Sequence, residues 1–456
     1  MQAILATLMF VAPDWVVSLT RERRPNAFWA EYVVWPVIQI LIVLFIILTL
    51  VAYLVYVERK VSAFMQARLG PMRVGPWGLL QPAADGLKLL LKEDIIPLKA
   101  DRIVFALAPI ISVVSALIVL AVIPWGAAWA TIANINIGLL FILAVSSVGV
   151  LGLVLAGWAS NSKYSLLGAL RSSAQMVSYE IGLGLSIIGA LMFARTLSMS
   201  GIVEAQQADH VWYVFFQPLG FLVYVISALG ETNRAPFDLP EAESELVAGY
   251  HTEYSGFRWA LFFMAEYSAM IVTAAIAVTL FLGGWMLPGV TGTSFFGLFG
   301  PIQNSTLHTF ASVLVFGLKI MLLIYAYMWF RWTWPRYRYD QLMELGWKWM
   351  IPAGLANIVL TAIWYVLALP ESRGGVLNLM REVGGRLVPT GRGVIYFILT
   401  GTAITVPLVW LLLVNINRRS RDFNLHEQRQ LQINLRRERL EKALQPQPQP
   451  ADTGGQ

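Results

Sequence analysis

The sequence of 456 residues contains no cysteine and only four histidines. Without cysteine, the chain forms no disulfide and holds no iron–sulfur cluster through thiolates of its own. No histidine lies deep in an apolar run opposite another, which argues against a haem held between two histidines. We therefore expect this chain to bind no redox cofactor, and any electrons to be carried by partner proteins or by a diffusible substrate. The histidines are His210, His251, His308 and His426.

Charged residues are also scarce. They make up 13% of the chain, against 57% hydrophobic residues and a mean hydropathy of +0.64. A soluble protein of this length would lack the polar groups to cover its surface. Crossing the apolar core of a bilayer takes about 20 helical residues. The sequence therefore predicts an all-α polytopic membrane protein with about nine transmembrane helices, centred near Leu44, Val113, Ser147, Gly184, Leu222, Val272, Phe316, Leu360 and Ile404.

The distribution of lysine and arginine predicts the orientation. With the amino terminus outside, the segments predicted to face the cytoplasm carry about three times as many of these residues as the others. The cluster from Arg21 to Arg24 is a local exception. Residues 1–35 lack the pattern of a cleavable signal and are expected to lie at the interface. The carboxyl terminus is then cytoplasmic.

Residues 36–370 form the predicted main membrane domain. Residues 371–415 should form a connecting loop and the ninth span, and residues 416–456 a basic cytoplasmic tail. Positive charge could hold this tail to the anionic leaflet, or the tail could dock on a peripheral protein.

The first loop is predicted to begin at Glu58, and its sequence predicts a helix along the membrane surface. Two Gly-Pro turns precede Trp77, and from there leucine and alanine recur at helical spacing, with Lys88 and Lys92 on the other side. A helix this short and charged fits the interface better than the bilayer core. It is either a passive brace or a wall through which an amphiphile enters from the lipid.

Three ionisable residues fall inside predicted spans: Glu180, Glu266 and Lys319. A charge facing lipid costs at least ~2.5 kcal/mol, so such residues usually face a bundle interior or a water-filled path. They could form structural salt bridges. With Gln175 and Tyr179 beside Glu180, they also fit a proton relay.

The most acidic stretch is "ETNRAPFDLPEAESELVAGYHTEYSGF", residues 231–257. Pro240 predicts the first turn of a helix. Glu241 and Glu245, four residues apart, then share a face on which like charges repel. The stretch could be a solvated loop without a chemical task. Alternatively, its carboxylates exchange protons as a coupled set.

The chain resembles the H-type membrane subunits of the proton-pumping NADH:quinone oxidoreductases, respiratory complex I. Three stretches carry the resemblance, which covers about residues 30–370: "ERKVSAFMQARLGPMRVGPWGLLQPAADGLKLLLKED", "NSKYSLLGALRSSAQMVSYE" and "ETNRAPFDLPEAESELVAGYHTEYSGFRWALFFMAEY". The resemblance implies a quinone chamber open to lipid, bordered by Arg59, Lys60, Phe64, Arg68, Arg73, Arg234 and Phe237. It also implies a proton path through Glu180, Glu231, Asp238, Glu241, Glu243, Glu245, Glu253 and Glu266.

The same resemblance implies the surroundings of the chain. Its partners would be the iron–sulfur subunits of the peripheral arm, adjacent membrane-arm subunits, quinone and lipids, with no nucleic acid. NADH, FMN and the iron–sulfur clusters would belong to the partners, and this chain would hold neither a metal nor a catalytic side chain. The complex would act as a translocase in a bacterial inner membrane. Two alternatives stay open: a homologous subunit of a membrane-bound hydrogenase-type complex, and a stand-alone ion transporter. The ninth span and the tail lie outside the resemblance.

Overall fold

The computed structural model describes residues 34–126, 130–238, 248–286, 305–370, 375–383, 386–403, 405–411 and 414. Helices dominate these residues. In chain order they are α1 (Trp35–Met65), α2 (Gln81–Leu91), α3 (Arg102–Val119), α4 (Gly138–Ala159), α5 (Lys163–Ala194), α6 (Met199–Asp209), α7 (Tyr213–Phe216), α8 (Pro218–Glu231), α9 (Gly256–Phe281), α10 (Ser305–Thr333), α11 (Tyr339–Leu345), α12 (Ile351–Ala368) and α13 (Gly391–Leu411).

Three short turns and one hairpin complete the described structure. The turns are 3₁₀ turns at Pro76–Gly78 and Gly249–His251 and a π-helical turn at Gly346–Met350, which joins α11 to α12. Strands β1 (Met380–Val383) and β2 (Arg386–Pro389) pair antiparallel, with Met380 opposite Pro389.

The predicted all-α membrane architecture is confirmed. Within the described ranges, eight helices are long and apolar enough to cross a membrane: α1, α3, α4, α5, α9, α10, the joined α11–α12 and α13. The predicted span near Leu222 corresponds to α8, which has only 14 residues. Gln217 separates α8 from α7, because its backbone leaves the helical conformation immediately before Pro218.

Local sequence explains where several helices begin. The side chain of Asp101 accepts hydrogen bonds from the backbone amides of Ile103 and Val104 at the start of α3. Ser198 caps α6 in the same way. These side chains satisfy amides that have no partner within the first turn of a helix.

Helix α9 is the most buried of the candidate membrane spans in the described ranges. In its most apolar stretch 67% of the residues are buried, the largest share of any candidate span in the described ranges. It packs against α3, α8 and α10, while α5 packs against α4, α8 and α12. Gly152 of α4 lies against Ser112 of α3 with no room for a larger residue, so these two helices approach closely.

The described part of the carboxyl-terminal region divides between two compact units. Residues 1–402 belong to the first unit and residues 403–456 to the second. In the first unit, Met380, Leu387 and Phe397 are buried. Phe397 packs on the rings of Phe193 and Phe216, with ring centres 5.1 and 5.4 Å away. The second unit is described only for the end of α13, where Val406 and Trp410 are exposed.

Three local predictions need correction. The sequence predicts a loop at residues 58–65, but α1 continues to Met65 and, at about 46 Å, is longer than the apolar core of a bilayer. The interfacial helix begins at Gln81, because Trp77 has a positive φ of 55° and interrupts it. The hairpin β1–β2 lies where the sequence predicts only a loop.

Candidate functional site

A partly open pocket of about 500 Å³ lies among the described helices, and we call it the larger pocket. Residues of α1, α2, α9 and α10 line it, and its walls are mainly apolar. Val51, Leu89 and Phe263 are typical of these walls. Four charged residues also line it: Glu58, Arg59, Asp85 and Arg331.

Helix α2 is tied to α1 by a salt bridge at this pocket. The Arg59 guanidinium lies 2.6 Å from a carboxylate oxygen of Asp85, and the amide of Gln81 donates to the other oxygen at 3.0 Å. Arg59 is 49% exposed, so solvent screens the pair. The apolar side of α2 faces outwards instead, and Leu87, Leu90 and Leu91 are exposed.

A mostly buried group of charges forms one end of the larger pocket, and we call it the ion network. It consists of Glu58, Arg234, Glu266, Tyr267 and Arg331. Arg234 donates to Glu58 at 2.6 Å and to Glu266 at 3.1 Å. Tyr267 donates to Glu58 at 2.7 Å, and Arg331 pairs with its other oxygen. The side chains of Arg234 and Glu58 are only 4% and 7% exposed, so these charges act on one another with little screening by water.

Arg234 carries a permanent positive charge in this network. Burial opposes that charge, but Glu266 and Glu58 outweigh burial and raise the pKa of Arg234 well above its usual value. Its guanidinium also lies 4.0 Å from the centre of the Tyr267 ring, a cation–π contact. Arg234 therefore stays charged at any pH at which the protein is studied.

The loop that carries Arg234 is fixed at both ends. The amide of Gln175 on α5 donates to the carbonyl of Gly230 at 2.8 Å and to that of Phe237 at 2.6 Å. Asp238 forms a salt bridge with Arg336 at 3.0 Å, at the point where the described part of the loop ends. These contacts hold Arg234 between Glu58 and Glu266.

A second space lies on the far side of the ion network, and we call it the smaller cavity. It has a volume of about 90 Å³ and is lined by residues of α3, α4, α5, α8 and α9 and of the loop after α8. Glu231 and Glu266 line it, so Glu266 belongs to both the cavity and the ion network. Three serines also line it: Ser112, Ser115 and Ser146.

Glu180 lies next to this cavity on α5. The hydroxyl of Ser146 lies 3.5 Å from an oxygen of its carboxylate, and the hydroxyl of Ser147 lies closer to the same oxygen. Glu180 does not line the cavity, and only Ser146 of this pair does. The acids therefore follow the order Glu58, Glu266, Glu231 and Glu180, with Arg234 between the first two.

Lys319 lies in a different place from these acids. Its ammonium group donates to the backbone carbonyls of Leu282, Gly284 and Met286 in the segment directly after α9. The end of α9 is about 22 Å along the helix axis from Glu266. The expected grouping of Lys319 with Glu180 and Glu266 is therefore wrong.

The structure brings few of the predicted quinone residues together. Arg59 lines the larger pocket, and Arg234 reaches it through Glu58. Phe237 is buried between the rings of Tyr179 and Tyr337, away from both cavities. The remaining candidates lie near the carboxyl-terminal end of α1 or in the loop that follows it, and they do not line the larger pocket: Lys60, Phe64, Arg68 and Arg73.

The predicted proton path is described only in part. Glu180, Glu231 and Glu266 gather around the smaller cavity. Asp238 pairs with Arg336, which lies 98 positions further along the chain. Glu253 lies in the segment between the second 3₁₀ turn and α9. Glu241, Glu243 and Glu245 lie outside the described residues.

Sequence reasoning missed three members of the ion network: Glu58, Tyr267 and Arg331. In the sequence alone, Glu58 and Arg331 are ordinary charges at span ends. The sequence offered one signal for Glu58: it lies at the end of an apolar run, directly before Arg59.

Comparison with known proteins identifies the family of this chain. A family model described as NADH dehydrogenase matches residues 38–362. An H-type NADH-quinone oxidoreductase subunit of Solibacter usitatus is 48% identical over 72% of this chain and 95% of the relative. The H-type subunit of Rhodospirillum rubrum is 50% identical, covering 74% and 96%. NADH-quinone oxidoreductase subunit 8 of Rhodothermus marinus is 48% identical, covering 73% and 98%. The chain therefore belongs to the family of H-type NADH-quinone oxidoreductase subunits.

Proposed function

We propose that this chain is the membrane subunit in which a proton-translocating NADH:quinone oxidoreductase binds quinone and couples its reduction to proton movement. The observation that carries the proposal is the larger pocket ending on the ion network. An apolar pocket with a few polar groups at one end suits an amphiphile with a polar head and a hydrocarbon tail.

The chemistry of quinone reduction explains why charges should lie at the end of the pocket. A quinone that accepts two electrons needs two protons to become a quinol. Negative charge that develops on the head group would be felt first by Glu58 and Arg331, which line the pocket. Through Arg234 the same change reaches Glu266 on the wall of the smaller cavity. The ion network thus links the two spaces electrostatically.

The pocket also supplies a route from the membrane. Helix α2 forms one wall and exposes Leu87, Leu90 and Leu91 on its outer side. Such a helix fits the membrane interface, where its leucines would contact lipid. In our proposal quinone enters beside α2, between α1 and α9, and the Arg59–Asp85 pair lies along this route.

The partners and location follow from the same proposal. The electron donor is an iron–sulfur cluster of a peripheral-arm subunit, and NADH and FMN also bind to partners. Other membrane-arm subunits would receive the protons. The chain would lie in a bacterial inner membrane, with its amino terminus outside and its carboxyl terminus in the cytoplasm, as the distribution of lysine and arginine indicates. The relatives are named as NADH-quinone oxidoreductase subunits, which favours this enzyme over a hydrogenase-type complex or a stand-alone transporter.

Filling the larger pocket tests the proposal in the intact complex. Ala260 of α9 lines the pocket, so Ala260→Phe should obstruct it and raise the KM for quinone several-fold. Ala84 of α2 is exposed and does not line the pocket, so Ala84→Phe is the matched control and should keep the parental KM. NADH oxidation with a water-soluble artificial acceptor should be parental in both variants.

A photoreactive quinone analogue gives an independent measurement. It should label α1, α2 or α9 in competition with quinone, and Ala260→Phe should reduce the labelling. A parental KM in assembled Ala260→Phe, together with labelling confined to other subunits, would refute the proposed quinone site.

A further inference from the structure

We propose that the smaller cavity holds a short chain of water molecules and that the hydroxyl of Ser146 passes protons from this water to Glu180. This inference rests on the proposed function and adds a carrier to the carboxylates. It assigns a role to a neutral residue on α4 that charge patterns in the sequence did not reveal.

The size and lining of the cavity suit water. The volume of about 90 Å³ exceeds the ~10–15 Å³ that one water molecule requires, so the cavity has room for a short chain of water. The wall carries the carboxylates of Glu231 and Glu266 and three serine hydroxyls. Buried water needs two to four polar partners, and this lining offers them.

One wall atom also points to a missing partner. Asn233 lines the cavity, and its side-chain oxygen is buried without a hydrogen-bond partner among the described residues. Leaving a buried polar atom unsatisfied costs about 1–3 kcal/mol. A water molecule in the cavity would satisfy this oxygen.

Ser146 is the described residue that touches both the cavity and Glu180. It lines the cavity, and its hydroxyl lies 3.5 Å from a carboxylate oxygen of Glu180. In the structure this hydroxyl donates to the carbonyl of Leu143 at 3.0 Å. A rotation about one bond would turn the hydroxyl hydrogen from Leu143 to Glu180.

The other two serines are placed differently. The hydroxyl of Ser112 donates to the carbonyl of Ala108 at 3.3 Å, and that of Ser115 donates to the carbonyl of Ser112 at 3.0 Å. Each can still accept a hydrogen bond from water. In this proposal Ser112 and Ser115 bind water in the cavity, whereas Ser146 connects this water to Glu180.

The transfer step balances without any electron transfer. Water accepts a proton from the carboxyl group of Glu266 or Glu231 and donates one to the oxygen of Ser146. The original hydroxyl proton of Ser146 passes to the carboxylate of Glu180. Only O–H bonds break and form, and the serine is regenerated as a neutral hydroxyl.

Three serine variants of the intact complex test the inference. Ser146→Ala removes the relay and should lower proton translocation on the order of tenfold, since a positioned proton-transfer group contributes at least that much. Ser146→Thr retains a hydroxyl and should restore most of it. Ser147→Ala is the matched control, because Ser147 contacts the same oxygen of Glu180 but does not line the cavity. It should lower translocation less than Ser146→Ala does.

Two further readouts separate the relay from a structural role and from the proposed quinone site. The solvent isotope effect on coupled turnover should increase in Ser146→Ala, whereas the KM for quinone and labelling by the quinone analogue should remain parental. Translocation at the parental rate in assembled Ser146→Ala, or an equal loss in Ser147→Ala, overturns the relay while leaving the quinone site intact.

A measurement on the parental complex covers the case in which Ser146→Ala does not assemble. A density map that resolves ordered water should show it between Glu266 and Ser146. A dry cavity overturns the inference without any variant.

Discussion

Arg234, which is buried, and Lys319, which is partly buried, show how the same charge serves different purposes in one membrane domain. Each lies over an aromatic ring, Arg234 over Tyr267 at 4.0 Å and Lys319 over Trp212 at 4.5 Å. Their hydrogen-bond acceptors differ. Arg234 donates to the carboxylates of two glutamates, whereas Lys319 donates to backbone carbonyls in the segment directly after α9.

The difference lies in what the acceptors can do. A carboxylate can gain or lose a proton, so the balance of charge around Arg234 can change during turnover. Backbone carbonyls cannot titrate. Lys319 joins three carbonyls of the segment that follows α9, so it holds this segment in one arrangement. We therefore expect loss of Arg234 to affect both assembly and activity, and loss of Lys319 to affect stability alone.

The largest effect should come from Arg234→Gln. It removes the cation between Glu58 and Glu266, and breaking a buried ion pair from one side costs about 3–5 kcal/mol. The amount of assembled complex and its midpoint of thermal inactivation should fall, and quinone reduction should be lost in what remains. Arg59→Gln is the stability control, because the pair with Asp85 is partly exposed and should contribute no more than about 1 kcal/mol. Parental thermal stability in Arg234→Gln would show that the network is not held together by this residue.

Lys319→Met should have the next largest effect. The methionine keeps the length of the side chain but leaves three carbonyls without their donor, at a cost of about 1.5–3 kcal/mol. The thermal midpoint should fall, while quinone reduction and proton translocation per assembled complex stay parental. If proton translocation falls in complexes that assemble normally, Lys319 belongs to the proton path and does not act on stability alone.

A smaller effect is expected from Tyr267→Phe. The ring stays beneath Arg234, but the hydroxyl that donates to Glu58 at 2.7 Å is lost. One hydrogen bond to a charged group contributes about 1.5 kcal/mol, so the thermal midpoint should fall less than in Lys319→Met. Tyr325→Phe on exposed α10 surface is the control. Equal thermal midpoints for the two tyrosine variants would show that the hydroxyl of Tyr267 does not stabilise the ion network.

The smallest effect should come from Trp212→Phe. The smaller ring weakens the cation–π contact with Lys319 by about 0.5–1 kcal/mol and leaves the three hydrogen bonds in place. Thermal inactivation should shift slightly, and turnover should not change. A loss as large as that of Lys319→Met would mean that the ring, and not the carbonyls, holds the lysine.

The sequence predicted the helical membrane architecture because apolar runs of sufficient length carry a local signal. The ion network carries no such signal. Glu58 pairs with Arg234 across 176 positions and with Arg331 across 273, and one sequence does not show which distant charges meet. The acceptors of Lys319 are backbone atoms, which leave no mark in side-chain composition. The fifth span could have been predicted as broken, because Gln217-Pro218 interrupts it. The hairpin could also have been predicted, because Gly384-Gly385 separates two short strand-like runs.

The packing of Phe397 has an evolutionary consequence. The family model ends at residue 362, yet Phe397 is 2% exposed and lies against Phe193 and Phe216 of the main membrane domain. An addition that becomes buried changes which mutations its host tolerates. Substitutions at Phe193 or Phe216 that are harmless in a family member lacking this addition would be harmful here, because they would open a void beneath Phe397. Loss of residues that include Phe397 would in turn uncover Phe193 and Phe216, so we expect such a loss to be tolerated only with compensating changes at these positions.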